Sequence, residues 1–269
     1  MAYTVDGKVV IVTGGAGGIG SEACRLFAEN GARVVVADIA AERAADLAAE
    51  LRSGGAEAVH VGVNLADETS IKHLFETTMA EYGTLDIIDN NAALLSAEMA
   101  KRDGNIEHMA TEDWDATFAV NTRGTMIACR EALKIMAPKK SGVIINTASN
   151  LALQGNVIQA AYSASKAAVI QMTRSIATSH GKLGIRCNAV LPGLTGTPAA
   201  LEHLPQELRE TVEEETLTPY LGAPVDIAHL VIFLASEEAR YISGQAFAAD
   251  GGTSVHIPGF ARLRRFFNG

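Results

Sequence analysis

The chain has 269 residues, with 22 basic and 31 acidic side chains and a formal net charge of −9 at pH 7. This acidic balance argues against a protein that binds the phosphate backbone of nucleic acids, because no basic field covers the chain. A hydrophobic content of 48% excludes general disorder. No apolar run reaches the roughly 18 residues that a membrane span needs. The length suits one domain with a sizeable core.

The three cysteines, Cys24, Cys129 and Cys187, stand among apolar residues and show no spacing typical of metal ligands. We therefore predict buried, reduced thiols, no metal site and a cytoplasmic location. The first seven residues lack the charged and then apolar pattern of a secretory signal. The expected partner is a small molecule, with no nucleic acid and no membrane.

A run rich in β-branched residues, Lys8–Thr13, predicts a strand that is buried on both faces of a parallel sheet. A glycine-rich stretch, 14–20, follows it and leads into a helix predicted over Ser21–Asn30. Glycines at this junction permit a tight turn and let a pyrophosphate approach the N-terminus of the helix. The pattern predicts dinucleotide binding rather than a plain turn. The expected cofactor contacts in this stretch are Gly14, Ala16, Gly17, Gly18, Ile19 and Gly20.

Asp38 follows the next predicted strand, Arg33–Ala37. A carboxylate there can accept hydrogen bonds from the ribose hydroxyls of an adenosine and would repel a 2′-phosphate. No basic residue lies in the glycine stretch to receive that phosphate. We therefore predict NAD in preference to NADP, with Asp38 and Ile39 as contacts. Asp38 could also cap the helix predicted over Ala40–Leu51.

Predicted strands and helices alternate along the rest of the chain. The later strands are predicted at Ala56–Val63, Leu85–Ile88, Gly142–Ala148, Ile185–Leu191 and Gln245–Ala249. Asp67 is predicted to cap a helix that runs to Tyr82, and Leu94–Ala110 is predicted as a long loop before a helix that Thr111 caps. This order predicts an α/β fold, a doubly wound parallel sheet with helices on both faces and ligands at the carboxyl ends of its strands.

Tyr162 and Lys166 are four residues apart in a predicted helix that runs to about His180, so their side chains share one face. A phenol titrates near ~10, and a neighbouring cation lowers its pKa toward neutral pH. The pair therefore indicates a tyrosine that acts as a general acid and base. The competing interpretation is a half-exposed tyrosine beside a solvated lysine. Ser149 ends a predicted strand, where its hydroxyl can reach the same cleft.

Several motifs together resemble the short-chain dehydrogenase/reductase family over roughly residues 6–253. The matching stretches are Thr13-Gly14-x-x-x-Gly18-x-Gly20, Asn90-Asn91-Ala92, Pro192-Gly193, and Gly244 with Asp250-Gly251-Gly252. Four residues match the catalytic tetrad of that family: Asn121, Ser149, Tyr162 and Lys166. The resemblance implies one Rossmann-type domain over residues 1–253, with a lid at about 194–220 and a tail at 254–269.

The resemblance implies a reversible, NAD-dependent hydride transfer between a secondary alcohol and its ketone. Tyr162 would move the hydroxyl proton, and Lys166 would lower the pKa of Tyr162 and bond the nicotinamide ribose. Ser149 would donate a hydrogen bond to the substrate oxygen. Asn121 would belong to a local irregularity of its helix that holds a water molecule of a proton relay.

The resemblance also implies further cofactor contacts and an oligomer. A homotetramer, or a homodimer, would form through the helices that bear Asn121 and Tyr162. Thr197 would bond the nicotinamide carboxamide. Besides Tyr162 and Lys166, the further contacts are expected at Asn64, Leu65, Asn91, Ala92, Ala93, Pro192, Gly193, Thr195 and Thr197.

Three residues depart from the family pattern. Asn64 replaces an aspartate at the adenine, and its carbonyl can still accept the same hydrogen bond. Ala93 replaces a glycine. Asp89 replaces an aliphatic residue, and a carboxyl near the end of a central strand must find donors or titrate. We expect it to bond backbone N–H groups or water near the cofactor; the alternative is a role toward the substrate.

The substrate is expected to be hydrophobic, since the segments near it are mostly apolar and hold no arginine or lysine to clamp a carboxylate or phosphate. A cyclic or steroid-like alcohol or ketone fits best. The runner-up is a 3-oxoacyl thioester reductase of the same family, and a third hypothesis is a dinucleotide-binding regulator without catalysis. The expected substrate contacts are Ser149, Leu151, Val157 and Leu194.

The tail, 254–269, holds three arginines and two adjacent phenylalanines, Phe266 and Phe267. Four hypotheses compete for it: a disordered end, a cover for the site of a neighbouring subunit, a membrane-surface contact and a nucleic-acid contact. The tail has too few basic and aromatic residues to favour the last two on an acidic protein. We favour packing between subunits, because exposed adjacent phenylalanines rarely stay free.

Overall fold

A seven-stranded parallel sheet forms the centre of the chain in its computed structural model, which describes residues 3–268. The strand order is β3-β2-β1-β4-β5-β6-β7, so the direction of winding reverses between β1 and β4. The strands are β1 (Val9–Thr13), β2 (Arg33–Asp38), β3 (Ala58–Gly62), β4 (Ile87–Asn90), β5 (Gly142–Thr147), β6 (Ile185–Pro192) and β7 (Ala246–Ala249). The predicted doubly wound α/β fold is confirmed.

Helices cover both faces of the sheet. Short 3₁₀ turns at Ile106–His108, Asn150–Ala152, Gly181–Leu183 and Glu237–Ala239 and a π-helical stretch at Ala119–Gly124 join them. The α-helices are α1 (Gly18–Glu29), α2 (Ala41–Ser53), α3 (Glu68–Tyr82), α4 (Ala97–Arg102), α5 (Thr111–Phe118), α6 (Thr125–Lys139), α7 (Ala160–His180), α8 (Pro198–His203), α9 (Gln206–Glu214), α10 (Pro224–Ala235) and α11 (Phe260–Asn268).

Alternate residues of the strands supply two cores. On one face, Val10 and Val12 pack with Phe27 of α1 and with side chains of α2 and α10. On the other face, Ile11 packs with Leu74 of α3 and with side chains of α6 and α7. Both faces of β1 are therefore dry, which explains why its sequence is a continuous apolar run rather than an alternating one.

Strand β4 lies two residues later than predicted, at Ile87–Asn90 instead of Leu85–Ile88. Aspartate and asparagine are poor strand formers, so their presence favoured a loop in the sequence. The register with neighbouring strands overrides that preference, since Asp89 pairs with Val12 of β1 and with Ile145 of β5. A carboxyl group is thereby placed inside the sheet.

Two other local predictions are corrected. The segment Leu94–Ala110 contains α4 and a 3₁₀ turn rather than a plain loop. Helix α5 begins at Thr111 with Ala110 as its N-cap, and no side chain caps it. Of the four hypotheses for the tail, a disordered end does not agree with the structure, because the tail forms α11 within the described residues and Arg265 pairs with Glu214 of α9. The capping of α3 by Asp67 is confirmed by a bond from Thr69 N.

Candidate active site

The glycine turn between β1 and α1 leaves room for a ligand beside an uncapped helix start. Gly14 has a φ of 65°, and a Cβ at Gly20 would collide with the Gly14 carbonyl. Helix α1 begins at Gly18, and its N-cap, Gly17, makes no side-chain bond to the first turn. The first N–H groups of a helix have no partner within it, so this turn suits an anionic pyrophosphate.

Asp38 lies at the end of β2 and is 6% exposed. One carboxyl oxygen accepts a hydrogen bond from Ala16 N at 3.0 Å, and the other accepts one from Ala40 N at 2.9 Å. The residue does not cap α2, because that helix begins at Ala41 with Ala40 as its N-cap. Asp38 braces the glycine turn instead, and each oxygen keeps a lone pair for a ribose hydroxyl. The neighbouring Ile39 is exposed.

The residues after β4 brace the same turn. Asn91 Nδ2 donates to the carbonyls of Thr13 at 3.1 Å and Gly14 at 3.3 Å, while Ala92 N donates to Thr13 Oγ1. The Asn64 side-chain carbonyl already accepts a bond from Ala66 N at 3.0 Å. The other predicted contacts here are half-buried Ala93 and buried Leu65.

The segment that follows β6 lies against the glycine turn. Thr197 is the N-cap of α8, where its Oγ1 accepts a bond from Ala200 N, and its side chain closes on Gly18 so tightly that a Cβ there would lie 2.8 Å from it. Thr195 is buried and pairs with Gly222 as a short bridge. The two remaining predicted contacts, Pro192 and Gly193, end β6 beside β7.

Three of the four tetrad residues share one buried cluster. Tyr162 and Lys166 lie on the first two turns of α7, and Ser149 follows β5. The Ser149 hydroxyl lies close enough to Tyr162 to lower the pKa of the phenol, and it accepts a hydrogen bond from Leu151 N at 3.2 Å. Lys166 Nζ donates to the carbonyl of Thr147 at 2.6 Å and lies 5.8 Å from the centre of the Tyr162 ring. The i, i+4 pair is therefore a buried arrangement, not a solvated one.

Asn121, the fourth member, lies in the π-helical stretch Ala119–Gly124, so the implied irregularity of its helix is present. Its Oδ1 accepts a bond from Leu94 N at 2.7 Å, and its Nδ2 donates to Ser165 Oγ at 3.1 Å. Ser165 Oγ in turn donates to the carbonyl of Tyr162 at 2.7 Å. Asn121 thus reaches the catalytic helix through one serine.

The pKa of Tyr162 corrects one expectation. Burial raises this pKa to about 12, opposed only by the nearby Ser149 hydroxyl. Burial also lowers the pKa of Lys166 to about 8. Desolvation therefore outweighs the predicted effect of the ammonium on the phenol. In the protein alone Tyr162 is a neutral phenol, which is the form that can donate a proton.

Asp89 is completely buried, and neither carboxyl oxygen has a hydrogen-bond partner within residues 3–268. Burial raises its pKa to about 8. The expected backbone donors are therefore not found, and burial leaves no access for a substrate. The three cysteines are free and buried as predicted, and desolvation raises the pKa of the Cys129 thiol to about 12.

The predicted substrate contacts lie on segments that follow β5 and β6, at the edge of the sheet where parallel strands end. Leu151 and Leu194 are half-buried, and Val157 is exposed. Leu153 and Leu201 are also exposed apolar residues on these segments. An apolar surface therefore borders the buried serine and tyrosine.

One residue of this site was missed in the sequence. Asp103 is buried, and its carboxyl accepts bonds from the backbone N–H groups of Ala161 and Tyr162. The residue falls in the predicted long loop Leu94–Ala110, and the sequence gives no direct sign of the contact. The available signal was indirect: Gln159, the N-cap of α7, makes no side-chain capping bond, so the cap had to come from elsewhere.

The described part of the chain holds neither a candidate metal cluster nor a candidate membrane-spanning helix. No group of three or more His, Cys, Asp or Glu side chains within residues 3–268 could hold a metal ion. None of the helices in that range combines the length and apolar character that crossing a bilayer requires.

Known proteins resemble the chain over almost its full length. Residues 14–254 match the family model described as enoyl-(acyl carrier protein) reductase. A 7alpha-hydroxysteroid dehydrogenase of Bacteroides fragilis is 42% identical over 94% of this chain and 96% of its own length. A 3-oxoacyl-[acyl-carrier-protein] reductase of Thermotoga maritima is 36% identical over 93% and 99%. The crystal structure of gox2181 superimposes with a TM-score of 0.87 and 31% identity, covering 94% of this chain and 98% of gox2181.

These matches agree with the geometry of the site. The glycine turn, the π-helical stretch at Asn121 and the buried pair of Tyr162 and Lys166 all lie within the matched range. The relatives named above are oxidoreductases of alcohol or ketone groups. The chain therefore belongs to the short-chain dehydrogenase/reductase family, and it is an oxidoreductase that acts on alcohol or ketone substrates.

Proposed function

We propose that the protein catalyses reversible, NAD-dependent interconversion of a hydrophobic secondary alcohol and its ketone. The observation that carries this proposal is the buried cluster of Ser149, Tyr162 and Lys166, at the same carboxyl edge of the sheet as the uncapped glycine turn. A neutral phenol, a hydroxyl donor and an ammonium are the groups that carbonyl reduction needs around one oxygen.

Each side chain has a separate task in this proposal. In reduction, Tyr162 donates its phenolic proton to the carbonyl oxygen, and Ser149 Oγ donates a hydrogen bond to the same oxygen. Lys166 then returns a proton to Tyr162, helped by its pKa of about 8. In oxidation the phenolic proton of Tyr162 first passes to neutral Lys166, and the resulting phenolate takes the hydroxyl proton of the alcohol. A nicotinamide cofactor held at the glycine turn would supply the hydride in reduction and accept it in oxidation.

The preference for NAD rests on Asp38. Its carboxyl is nearly buried at the end of β2 and keeps lone pairs for ribose hydroxyls, while a 2′-phosphate would face the carboxyl charge. The glycine turn supports pyrophosphate binding through the unpartnered N–H groups at the start of α1. Side chains at Gly14, Gly18 or Gly20 would collide with neighbouring protein atoms, so glycine is required for the turn to form. Replacing Asp38 with serine should weaken NAD binding and raise the relative turnover with NADP.

The apolar border of the site supports a hydrophobic or cyclic substrate. Leu151, Leu153 and Leu201 offer carbon surface, and the lid begins at the glycine turn with Thr197. The hydroxysteroid dehydrogenase among the relatives acts on a substrate of this class. The second candidate is a 3-oxoacyl thioester, which the Thermotoga maritima relative and the description of the family model favour.

We propose as well that the protein forms a homotetramer or homodimer in a reducing, cytoplasmic compartment. Helices α6 and α7 flank a groove lined by Met126, Leu133, Met172 and Ile176, and the Met126 side chain is exposed. Burying this groove against a second copy would remove apolar surface from water. Light scattering of the purified protein would give the number of subunits.

The test is NADH formation from two panels of substrates. We expect turnover of cyclohexanol-type and 7α-hydroxysteroid alcohols with NAD, and much less with NADP. The Asp38→Ser variant should reduce this preference without abolishing turnover. Preferred reduction of an acetoacetyl thioester with NADPH would instead support the second candidate and contradict the Asp38 argument. Tight NADH binding with no turnover on either panel would contradict both.

A further inference from the structure

Helix α7, which carries Tyr162, is capped by a distant part of the chain. The first turn of a helix exposes N–H groups without intrahelical partners. Four consecutive N–H groups here bond to two residues that follow α4. Gln159 N donates to the carbonyl of Asp103 at 2.7 Å and Ala160 N to that of Gly104 at 3.4 Å. Ala161 N and Tyr162 N donate to the two carboxyl oxygens of Asp103, each at 2.9 Å.

No residue next to α7 provides this cap. The N-cap, Gln159, has a left-handed φ of 62° and makes no capping bond through its side chain. Such a conformation is unfavourable for a residue with a side chain and persists only where surrounding bonds impose it. Asp103 is 2% exposed, so its carboxyl has little water to bond instead. The start of α7 therefore depends on Asp103.

A second set of bonds ties the other end of the same segment to the site. We call residues 94–104 the anchoring segment. Its first residue, Leu94, donates its N–H to Asn121, which bonds Ser165, which bonds the carbonyl of Tyr162. Its far end holds the N–H of Tyr162 through Asp103. Both backbone polar groups of Tyr162 are thus fixed from the anchoring segment.

We propose that Asp103 is a positioning residue for the reaction, which holds the Tyr162 backbone so that its phenol stays beside Ser149 and Lys166. The proposal rests on the proposed function above. Lys166 lies one turn further and has its own anchor in the carbonyl of Thr147. Loss of Asp103 should therefore disturb Tyr162 more than Lys166, and catalysis more than cofactor binding.

The Asp103→Asn variant tests this with little change of volume. An amide offers one oxygen as an acceptor, and its NH₂ would face the second helix N–H, donor against donor. Because misplacement of a reacting group by about 1 Å can lower a rate 10²-fold, we expect kcat to fall by about 10- to 100-fold. The dissociation constant of NADH should stay within about twofold of wild type.

The matched control is Asp86→Asn. Asp86 is also a carboxyl that accepts a backbone bond, from Val9 N at 3.0 Å, but it precedes β4 at the opposite edge of the sheet. This variant should lower thermal stability and leave kcat unchanged. An equal loss of kcat in both variants, or no loss in Asp103→Asn while Tyr162→Phe is inactive, would overturn the positioning role. Wild-type turnover in Tyr162→Phe would overturn the proposed function instead.

A measurement without substrate tests the anchor itself. Hydrogen exchange of the peptide that spans 159–163, followed by mass spectrometry, reports directly on the four capped N–H groups. We expect at least about tenfold faster exchange there in Asp103→Asn, with peptides from α3 and α10 unchanged. Exchange at the wild-type rate in this peptide would overturn the proposal, whatever substrate the enzyme uses.

Discussion

Asp89 and Asp103 are both buried carboxyl residues near the carboxyl edge of the sheet, and their surroundings differ completely. Asp103 receives two backbone N–H bonds at the start of α7. Asp89 stands inside β4 with no partner within the described residues, and burial raises its pKa to about 8. Burial alone therefore does not decide whether a carboxyl stabilises the fold; the donors around it do.

The largest expected effect on stability comes from Asp89→Asn. The pKa of Asp89 is raised from an ordinary value of 3.8 to about 8, so the folded chain holds a proton that the unfolded chain has lost between these values. Wild-type stability should therefore fall as pH rises through this window. The variant has no carboxyl to ionise and lacks this loss. At high pH its free energy of unfolding should therefore exceed that of wild type by roughly 5 kcal/mol.

Urea unfolding at about pH 5 and about pH 9 measures this difference. We expect the free energy of unfolding of the variant, relative to that of wild type, to be larger at about pH 9 than at about pH 5. Equal pH dependence of the two proteins would mean that Asp89 finds donors in solution. Asp89 would then be a hydrogen-bonded carboxyl like Asp103.

The next largest effect is expected from Asn146→Ala, which should lose stability to the same extent at every pH. Asn146 lies on the opposite face of the sheet from Asp89, in a buried network. Its Oδ1 accepts a bond from Asn90 at 2.9 Å, and its Nδ2 donates to Thr173 Oγ1 on α7 at 2.9 Å. Truncation removes both of these buried hydrogen bonds and opens a cavity, so the free energy of unfolding should fall by about 2–4 kcal/mol.

Thr173→Ser is the matched control for this network, because it keeps the hydroxyl that Asn146 bonds. Its cost should stay below about 1.5 kcal/mol in the same urea experiment. If the two variants were equally destabilised, packing rather than hydrogen bonding would account for the network. The hydrogen bonds that distinguish Asn146 from Asp89 would then contribute little to stability.

The smallest effect is expected for Arg25→Gln. Arg25 pairs with Glu22 and Glu50, each at 2.8 Å, on partly exposed side chains of α1 and α2. Surface ion pairs of this kind contribute about 0–1 kcal/mol and are screened by salt. Thermal unfolding in low and high salt should show a small difference that salt removes. A loss comparable to that of Asn146→Ala would contradict this ranking.

The sequence predicts well those parts of the molecule that local patterns determine. The strand, the glycine turn and Asp38 follow one another within 31 residues, from Lys8 to Asp38, and each has its own signature. Of the four residues that match the family tetrad, Ser149, Tyr162 and Lys166 lie in one buried cluster, and Asn121 connects to α7 through Ser165. These residues need no knowledge of distant contacts to be identified.

Features set by distant contacts were not predictable in the same way. The cap of α7 joins residues 58 positions apart, so the sequence around Asp103 does not indicate that its carboxyl bonds this helix. Strand β4 extends over Asp89 because of its register with β1 and β5, against its local preference. The raised pKa of Tyr162 also depends on burial, whereas the sequence indicates only the neighbouring lysine.

In the proposed reaction Tyr162 moves the proton. Steady-state turnover of Tyr162→Phe, measured beside wild type, tests this role most directly. Phenylalanine keeps the ring and removes only the hydroxyl that would move the proton. We expect kcat to fall by at least about 10³-fold with the dissociation constant of NADH unchanged. A variant that binds NADH normally and turns over at the wild-type rate would contradict the account.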